Sequence, residues 1–259
     1  MKQLMRVPET TSMKPDMGQR GATELPLPII VQYWHESPPI EIRDLMGTWE
    51  RAAGEGFEYH SFDDASARQF IRLHYDRRTE EAFLSCAVPA MRADFFRICA
   101  LLVRPGIYVD ADTRRTGVTT GFRFRSEQSA PLLPLYHRLQ RGLLFQRETR
   151  VSNAFMIVKR APDPLLHAIL SRVIDNIEAR ASNNVFFVTG PGVITKLKNQ
   201  FGMEHEYFRD FDLWTADDLL PYMRLVGKLP YKQTEDHWLN AQKVRSIFAD
   251  RSTAKNRGE

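Results

Sequence analysis

Short apolar segments alternate with segments of helical periodicity over the first half of the chain, and this alternation limits the possible folds most strongly. The apolar runs 29–34, 57–62 and 107–109 have the length and residue types of strands. Between the first two runs, four apolar residues follow the i, i+3, i+4, i+7 spacing of one helix face: Ile42, Leu45, Met46 and Trp49. The order strand–helix–strand–helix–helix–strand predicts an α/β sandwich, with a mostly parallel central sheet flanked by helices.

The chain of 259 residues is long enough to bury one sizeable core. Residues 1–25 are polar and without a period, so we expect a flexible N-terminal arm. Residues 26–250 are expected to form one domain, and the polar residues 251–259 a frayed tail. The arginine-rich segment 113–150 gives no clear pattern.

Charge and cysteine content bear on the location of the protein and on its ligands. The formal net charge of +4 suits phosphate-bearing ligands or an anionic membrane surface, and identifies neither. Cys86 and Cys99 lie in apolar surroundings and are expected to be buried thiols, as in a reducing compartment. With no signal-peptide pattern and no apolar run of spanning length, the sequence predicts a cytoplasmic protein. Peripheral contact with the cytoplasmic face of a membrane stays open, and no nucleic-acid partner is predicted.

The sharpest local pattern is the pair Asp110 and Asp112 at the end of the apolar run 107–109. In parallel sheets, ligands bind outside the carboxyl ends of the strands. Carboxylate oxygens suit Mg²⁺ or Mn²⁺, which bridge phosphate groups. The pair therefore indicates a metal-assisted phosphate site, although Asp-x-Asp also occurs as a solvated or capping pair in turns.

Three further positions have both a functional and a structural interpretation. Asp94 and Arg97 share a helix face at i, i+3 spacing and could bind ribose and phosphate, or form an ordinary surface ion pair. Trp34 ends the first predicted strand and could stack on a nucleobase, or belong to the core.

In combination, these segments resemble the glycosyltransferase family with a sugar-binding DXD motif. The resemblance covers roughly residues 26–195, and the order and spacing of its parts are more specific than any one motif. "PIIVQYWH" at 28–35 is similar to the family's opening, and 57–64 to its second strand and acidic turn. "RADFFR" at 92–97 followed by "GIYVDADT" at 106–113 resembles the family's signature.

The resemblance implies a GT-A fold, a sugar-nucleotide donor (a UDP- or GDP-sugar), Mn²⁺ or Mg²⁺, and retention of the anomeric configuration. It implies that Asp94 and Arg97 hold the donor sugar and phosphate. Asp110 and Asp112 would hold donor and metal, and with Arg97 they would form the catalytic group. Trp34 would lie beside the base. The expected acceptor is a saccharide or a glycolipid.

The later part of the resemblance is sparser. Asn153, Gly190 and Pro191 match its "N…TGP" pattern, and are expected at the donor site. His237 matches little of the family's closing segment and is the third expected metal ligand, although a lone histidine is more often structural. Pro105 replaces the first glycine of the family's pair, which stiffens the turn.

Two other classes remain as alternatives. A phosphatase of the haloacid dehalogenase class also has Asp-x-Asp after an apolar strand, and Thr189 could act as its second motif. That class has Thr or Val two residues after the second aspartate, where this chain has Arg114. The other alternative is a non-catalytic sugar-nucleotide-binding protein.

Overall fold

The computed structural model describes residues 27–116, 140–147, 149–234 and 237–250. The arm expected at 1–25 and the tail expected at 251–259 lie outside the described residues, as does the stretch 117–139 of the segment that the sequence left uninterpreted. The single domain expected over 26–250 stays a prediction.

A six-stranded sheet forms the centre of the described structure, in the order β2-β1-β3-β6-β5-β7. Its strands are β1 (Ile29–Tyr33), β2 (Glu58–Phe62), β3 (Gly106–Val109), β5 (Gly142–Arg147), β6 (Arg150–Val158) and β7 (Phe211–Trp214). A two-stranded sheet pairs β4 (Thr113–Arg115) with β8 (Met223–Leu225). In the large sheet β1–β2, β1–β3 and β5–β7 are parallel, whereas β6 runs antiparallel to both its neighbours. The predicted α/β fold with a mostly parallel sheet is confirmed.

The helices begin at residues that suit helix starts. They are α1 (Ile40–Glu50), α2 (Asp64–His74), α3 (Arg77–Leu84), α4 (Pro89–Val103), α5 (Pro164–Glu178), α6 (Val185–Val188), α7 (Pro191–Phe201), α8 (Ala216–Leu219) and α9 (Trp238–Val244). Two 3₁₀ helices span Arg51–Glu55 and Pro230–Gln233. Asp63 caps α2, and proline occupies the first turn of α4, α5 and α7. None of the described helices is long and apolar enough to cross a membrane.

Side chains of the inner strands alternate between two apolar layers. In β1, Ile29, Val31 and Tyr33 join the layer that contains the buried faces of α4 and α5. Ile30 points to the opposite layer, which contains Trp49 at the end of α1. Successive strand residues point to opposite faces, so the sheet has two apolar faces. Helices pack on both of them. Cys86 and Cys99 are buried free thiols, as expected.

Two details of the strand packing position the site. A Cβ atom at Gly106 would lie 2.2 Å from the Ile29 carbonyl oxygen, so only glycine lets β3 approach β1 this closely. The antiparallel direction of β6 puts Phe155 opposite Val109. The beginning of β6, with Asn153, therefore lies at the edge where β1 and β3 end.

The sequence prediction missed α3 and did not assign the apolar run 186–188, which belongs to the short helix α6. A four-residue apolar run does not distinguish a buried strand from a buried helical turn, because the periods differ only over longer segments.

Candidate functional site

The turn after β3 presents the two aspartates of the Asp-Ala-Asp motif. The Asp110 N–H donates to the Ala154 carbonyl at 2.9 Å, which anchors the start of the turn to β6. The Thr113 hydroxyl and N–H donate to the Asp110 carbonyl at 2.7 and 3.1 Å, which closes the turn. Both carboxylates are therefore fixed where the parallel strands end.

Arg97 of α4 is the cation beside the motif. Its side chain is 4% exposed, and its Nη2 lies 3.0 Å from Asp94 Oδ1 and 3.1 Å from Asp110 Oδ1. Its Nη1 donates to the Asn153 carbonyl, and its guanidinium carbon lies 4.2 Å from the centre of the Tyr108 ring. The sequence left open an ordinary surface ion pair between Asp94 and Arg97. The structure instead has a buried pair that ties α4 to β3 and β6.

Asp94 contacts three side chains next to the cavity. Its Oδ1 accepts a hydrogen bond from Asn153 Nδ2 at 2.7 Å, and its Oδ2 accepts one from the Thr189 hydroxyl at 3.1 Å. With Arg97 also on Oδ1, both oxygens have partners. Asp94 therefore fixes the orientation of Arg97 and Asn153.

Burial changes proton affinities throughout the cluster. Burial raises the pKa of Asp110 to about 7, while Arg97 opposes the increase and Asp112 adds to it. Burial also raises the pKa of Asp94, against the effects of Arg97 and of the hydrogen bonds from Asn153 and Thr189. Burial disfavours the charge on Arg97, but the surrounding acidic groups, Asp110 foremost, raise its pKa overall. An additional cation beside Asp110 would favour its ionised form.

Asp112 is held by two residues that the sequence analysis missed. Its Oδ2 accepts a hydrogen bond from the Tyr231 hydroxyl at 2.9 Å and lies 2.6 Å from Lys232 Nζ. Both residues belong to the 3₁₀ helix Pro230–Gln233, and no motif or period marks them. Only the fold brings this helix back to the motif.

A cavity of about 530 Å³ opens at the motif, and all nine residues predicted from the sequence line it. These residues are Trp34, Asp94, Arg97, Asp110, Asp112, Asn153, Gly190, Pro191 and His237. They come from separate elements: the ends of β1 and β3, the helix α4, the strand β6, and the starts of α7 and α9. The structure therefore joins the sequence candidates into one site.

Trp34 combines the two interpretations that the sequence offered. Its ring packs edge-on against Tyr231, with the centroids 5.0 Å apart, and touches an apolar cluster beneath the cavity. Its Nε1 is buried and has no hydrogen-bond partner in the described part of the chain. An indole N–H in this position can donate to a polar group of a ligand in the cavity.

Gly190 and Pro191 bring the N-terminus of α7 to the cavity. Gly190 caps the helix, and a Cβ atom there would lie 3.0 Å from the Phe186 Cα. His237 lies near Tyr231, with 6.2 Å between their ring centroids. Burial, followed by the charge of Lys232, lowers the pKa of His237, and Asp112 acts against this change.

The chemistry of the two aspartates is compatible with a divalent cation. Asp110 Oδ2 and Asp112 Oδ1 have no partner among the described residues, because each contact involves the other oxygen. Within the described ranges, no group of three or more His, Cys, Asp or Glu side chains is placed to hold a metal ion. Mg²⁺ commonly binds through one or two carboxylates, with water and substrate phosphates completing its ligands. The role of His237 as a metal ligand stays a prediction.

No protein-family model and no curated protein matches the chain. Among solved structures, a protein described as "PaToxG Glycosyltransferase" is similar, with 12% identity, a TM-score of 0.48, and 86% of this chain and 90% of that chain covered. The UDP-bound glycosyltransferase domain of the YGT toxin has 10% identity and a TM-score of 0.36, with 66% and 56% covered. A glycosyltransferase involved in glycosylation of the major capsid of PBCV-1 has 10% identity and a TM-score of 0.31, with 90% and 98% covered. At these values the DXD family remains a prediction.

Proposed function

We propose that the protein is a metal-dependent glycosyltransferase that uses a sugar nucleotide, with Asp110 and Asp112 at its active site. One observation carries the proposal. Two carboxylates on one fixed turn each keep an oxygen without a partner among the described residues, at a cavity of about 530 Å³ that Arg97 also lines. That volume lies within the range of small-molecule sites.

The proposed metal site consists of Asp110 and Asp112, with water and the donor phosphates completing the ligands. His237, the third ligand expected from the sequence, is not placed with the two aspartates to hold a metal ion in the described structure. A divalent cation bound there, Mn²⁺ or Mg²⁺, would neutralise the charge that develops on a departing nucleoside diphosphate. Arg97 would add a fixed positive charge beside the same group, because Asp94 and Asn153 hold its side chain in place.

The proposed donor contacts follow from the positions around the cavity. Trp34 would lie beside the base, with its ring as a stacking surface and its Nε1, which no described residue bonds, as a donor to a base carbonyl. Asn153, Gly190 and Pro191, which line the same cavity, would contact the sugar and phosphate. We propose Asp94 as a positioning residue, since both its oxygens already have protein partners.

We propose a hexosyl donor linked to UDP or GDP, and a saccharide or glycolipid as acceptor. Retention of the donor's α configuration is part of the proposal and rests on the sequence resemblance. In a retaining route the departing phosphate can accept the acceptor's proton, so no dedicated base is needed. NMR of the new linkage decides this point, since a β anomeric coupling from an α-linked donor contradicts retention. Action in the cytoplasm, with peripheral contact with a membrane, is likewise proposed.

The phosphatase alternative receives no support from the site. Its second-motif candidate, Thr189, is 2% exposed and donates its hydroxyl to Asp94. That hydroxyl is therefore engaged behind the cavity wall instead of facing a substrate phosphate.

The test is a screen of UDP- and GDP-sugars for hydrolysis with Mn²⁺, with Mg²⁺ and with a chelator. We expect turnover of at least one donor, lost with the chelator and in Asp110→Asn. Asp217→Asn serves as the matched control, because Asp217 is an exposed residue of α8 away from the cavity. Turnover of p-nitrophenyl phosphate without turnover of any sugar nucleotide would favour the phosphatase.

A further inference from the structure

Lys232 contacts the Asp112 oxygen next to the one that stays open to a cation. Its ammonium is 2.6 Å from Asp112 Oδ2, and both side chains are largely buried. The same Nζ donates to the Val226 carbonyl at 2.7 Å. The Val226 N–H donates in turn to the Asp112 backbone carbonyl at 3.1 Å. Lys232 and Asp112 are thus linked through both side chain and backbone, at the wall of the cavity.

The charges around the cavity make Lys232 and a divalent cation competitors. Three carboxyl groups, those of Asp94, Asp110 and Asp112, lie near two cationic side chains, those of Arg97 and Lys232. With Lys232 in place the group has one net negative charge when every carboxyl is ionised. A divalent cation added beside Lys232 would reverse that sign and would repel the ammonium at short range.

We propose that Lys232 supplies the counter-charge of Asp112 in the metal-free protein, and that a divalent cation at the open Asp112 oxygen displaces it toward the diphosphate of the donor. The first half stands on the contacts of Lys232 alone, whereas the second half rests on the proposed function. An ammonium released beside the metal is a suitable partner for phosphate oxygens. Metal binding would then create a second phosphate contact, and metal and nucleotide would bind cooperatively.

The exchange predicts effects of opposite sign from one substitution. Lys232→Met keeps the length of the side chain and removes its charge. In the nucleotide-free protein we expect Mn²⁺ to bind about tenfold more tightly to this variant, because the competing ammonium is gone. At saturating Mn²⁺ we expect UDP or GDP to bind about tenfold more weakly, because a phosphate contact is lost. Manganese EPR measures the first affinity, and isothermal titration calorimetry the second.

Two matched variants test whether the changes in affinity come from the Lys232 charge or from any change in its segment. Lys228→Met removes an exposed charge from the same segment and should change neither affinity. Tyr231→Phe removes the neutral donor to the same Asp112 oxygen and should change Mn²⁺ affinity less than Lys232→Met does. Lys232→Gln, which keeps a donor for Val226, guards against misfolding and should give the same two signs.

Mn²⁺ affinity that is unchanged or weaker in both Lys232 variants overturns the exchange. Tighter Mn²⁺ binding with unchanged nucleotide affinity overturns its second half. If neither UDP nor GDP binds the wild-type protein with Mn²⁺ present, the proposed function fails, and the Mn²⁺ titration still decides the first half.

Discussion

Two buried arginine–carboxylate clusters in the described structure differ in what surrounds them. Arg97 with Asp94 and Asp110 borders the cavity, and the side chain of Asp110 is 30% exposed. Arg141 pairs with Asp163 through two contacts of 2.8 and 3.0 Å, and these side chains are 7% and 1% exposed.

The clusters also differ in their remaining hydrogen-bonding capacity. Asp163 Oδ1 accepts from the Leu165 N–H, and Arg141 also donates to the Glu206 and Tyr207 carbonyls. Every carboxylate oxygen of Asp163 has a partner, and the pair joins the start of α5 to the end of the sheet. Asp110 keeps one oxygen without a partner in the described residues. The same residue types therefore stabilise the fold in one place and are available to a ligand in the other.

The largest expected effect is on activity, at the cavity. Asp112→Asn should lower kcat at least about a thousandfold, equivalent to about 4 kcal/mol, because a neutral amide binds a cation poorly. Its unfolding free energy should change little, since Tyr231 and Lys232 can still contact the amide oxygen. Steady-state kinetics at saturating Mn²⁺ and urea unfolding measure the two quantities. Near wild-type kcat in this variant would show that Asp112 is not an active-site residue.

The next largest effect should be on stability and not on activity, at the Arg141–Asp163 pair. Asp163→Asn should lower the unfolding free energy by about 3 kcal/mol, because it leaves the buried Arg141 charge without a partner. Turnover per folded molecule should stay within about twofold of wild type, since neither residue borders the cavity.

Asp76→Asn is the control for Asp163→Asn. Asp76 caps α3 by accepting from the Thr79 N–H at 2.9 Å, but it is exposed and pairs with no arginine in the described part of the chain. We expect a loss below about 1 kcal/mol. Equal losses in the two variants would mean that capping, and not the buried ion pair, accounts for the contribution of Asp163.

The sequence predicted the Arg97 cluster at the cavity better than the Arg141–Asp163 pair. Asp110 follows an apolar strand and Asp94 follows a helix start, so local periods place both residues near the same sheet edge. Asp163 and Arg141 are 22 residues apart, and Arg141 lies in the arginine-rich segment that gave no period. Their contact depends on the antiparallel pairing of β5 with β6, which no single local pattern specifies.

Lys232 and Tyr231 show the same limit within the site itself. They follow Asp112 by about 120 residues and contact it because β4 pairs with β8. Strands of three residues carry too little pattern to be predicted from sequence. Side chains that approach a motif from such a distance become visible only in three dimensions.

Trp34 tests whether a residue can belong to both core and cavity. Trp34→Ala should raise the donor KM by the equivalent of about 2 kcal/mol with a smaller change in kcat, because base stacking is lost. Trp34→Phe should keep most of the stacking and recover most of the affinity. A folded Trp34→Ala protein with wild-type donor KM and only a lower unfolding free energy would assign Trp34 to the core alone.

The smallest expected effect is on the pH dependence of stability. Burial raises the pKa of Asp110 to about 7, above its ordinary 3.8, so the native metal-free protein binds a proton more tightly than the unfolded chain between these values. The contribution of Asp110 to stability therefore falls as pH rises through this window, and is constant above it. Asp110→Asn should lose less Tm than wild type between about pH 5 and about pH 8. Equal losses in the two proteins would mean that the Asp110 pKa is not raised.

The central claim is that the open carboxylate oxygens of Asp110 and Asp112 bind the metal of a sugar-nucleotide site. A crystal structure with Mn²⁺ and UDP or GDP, using anomalous scattering at the manganese edge, tests it most directly. We predict an anomalous peak within bonding distance of Asp112, a diphosphate on the same ion, and the base beside Trp34. Manganese bound elsewhere, or a nucleotide outside this cavity, would contradict the claim.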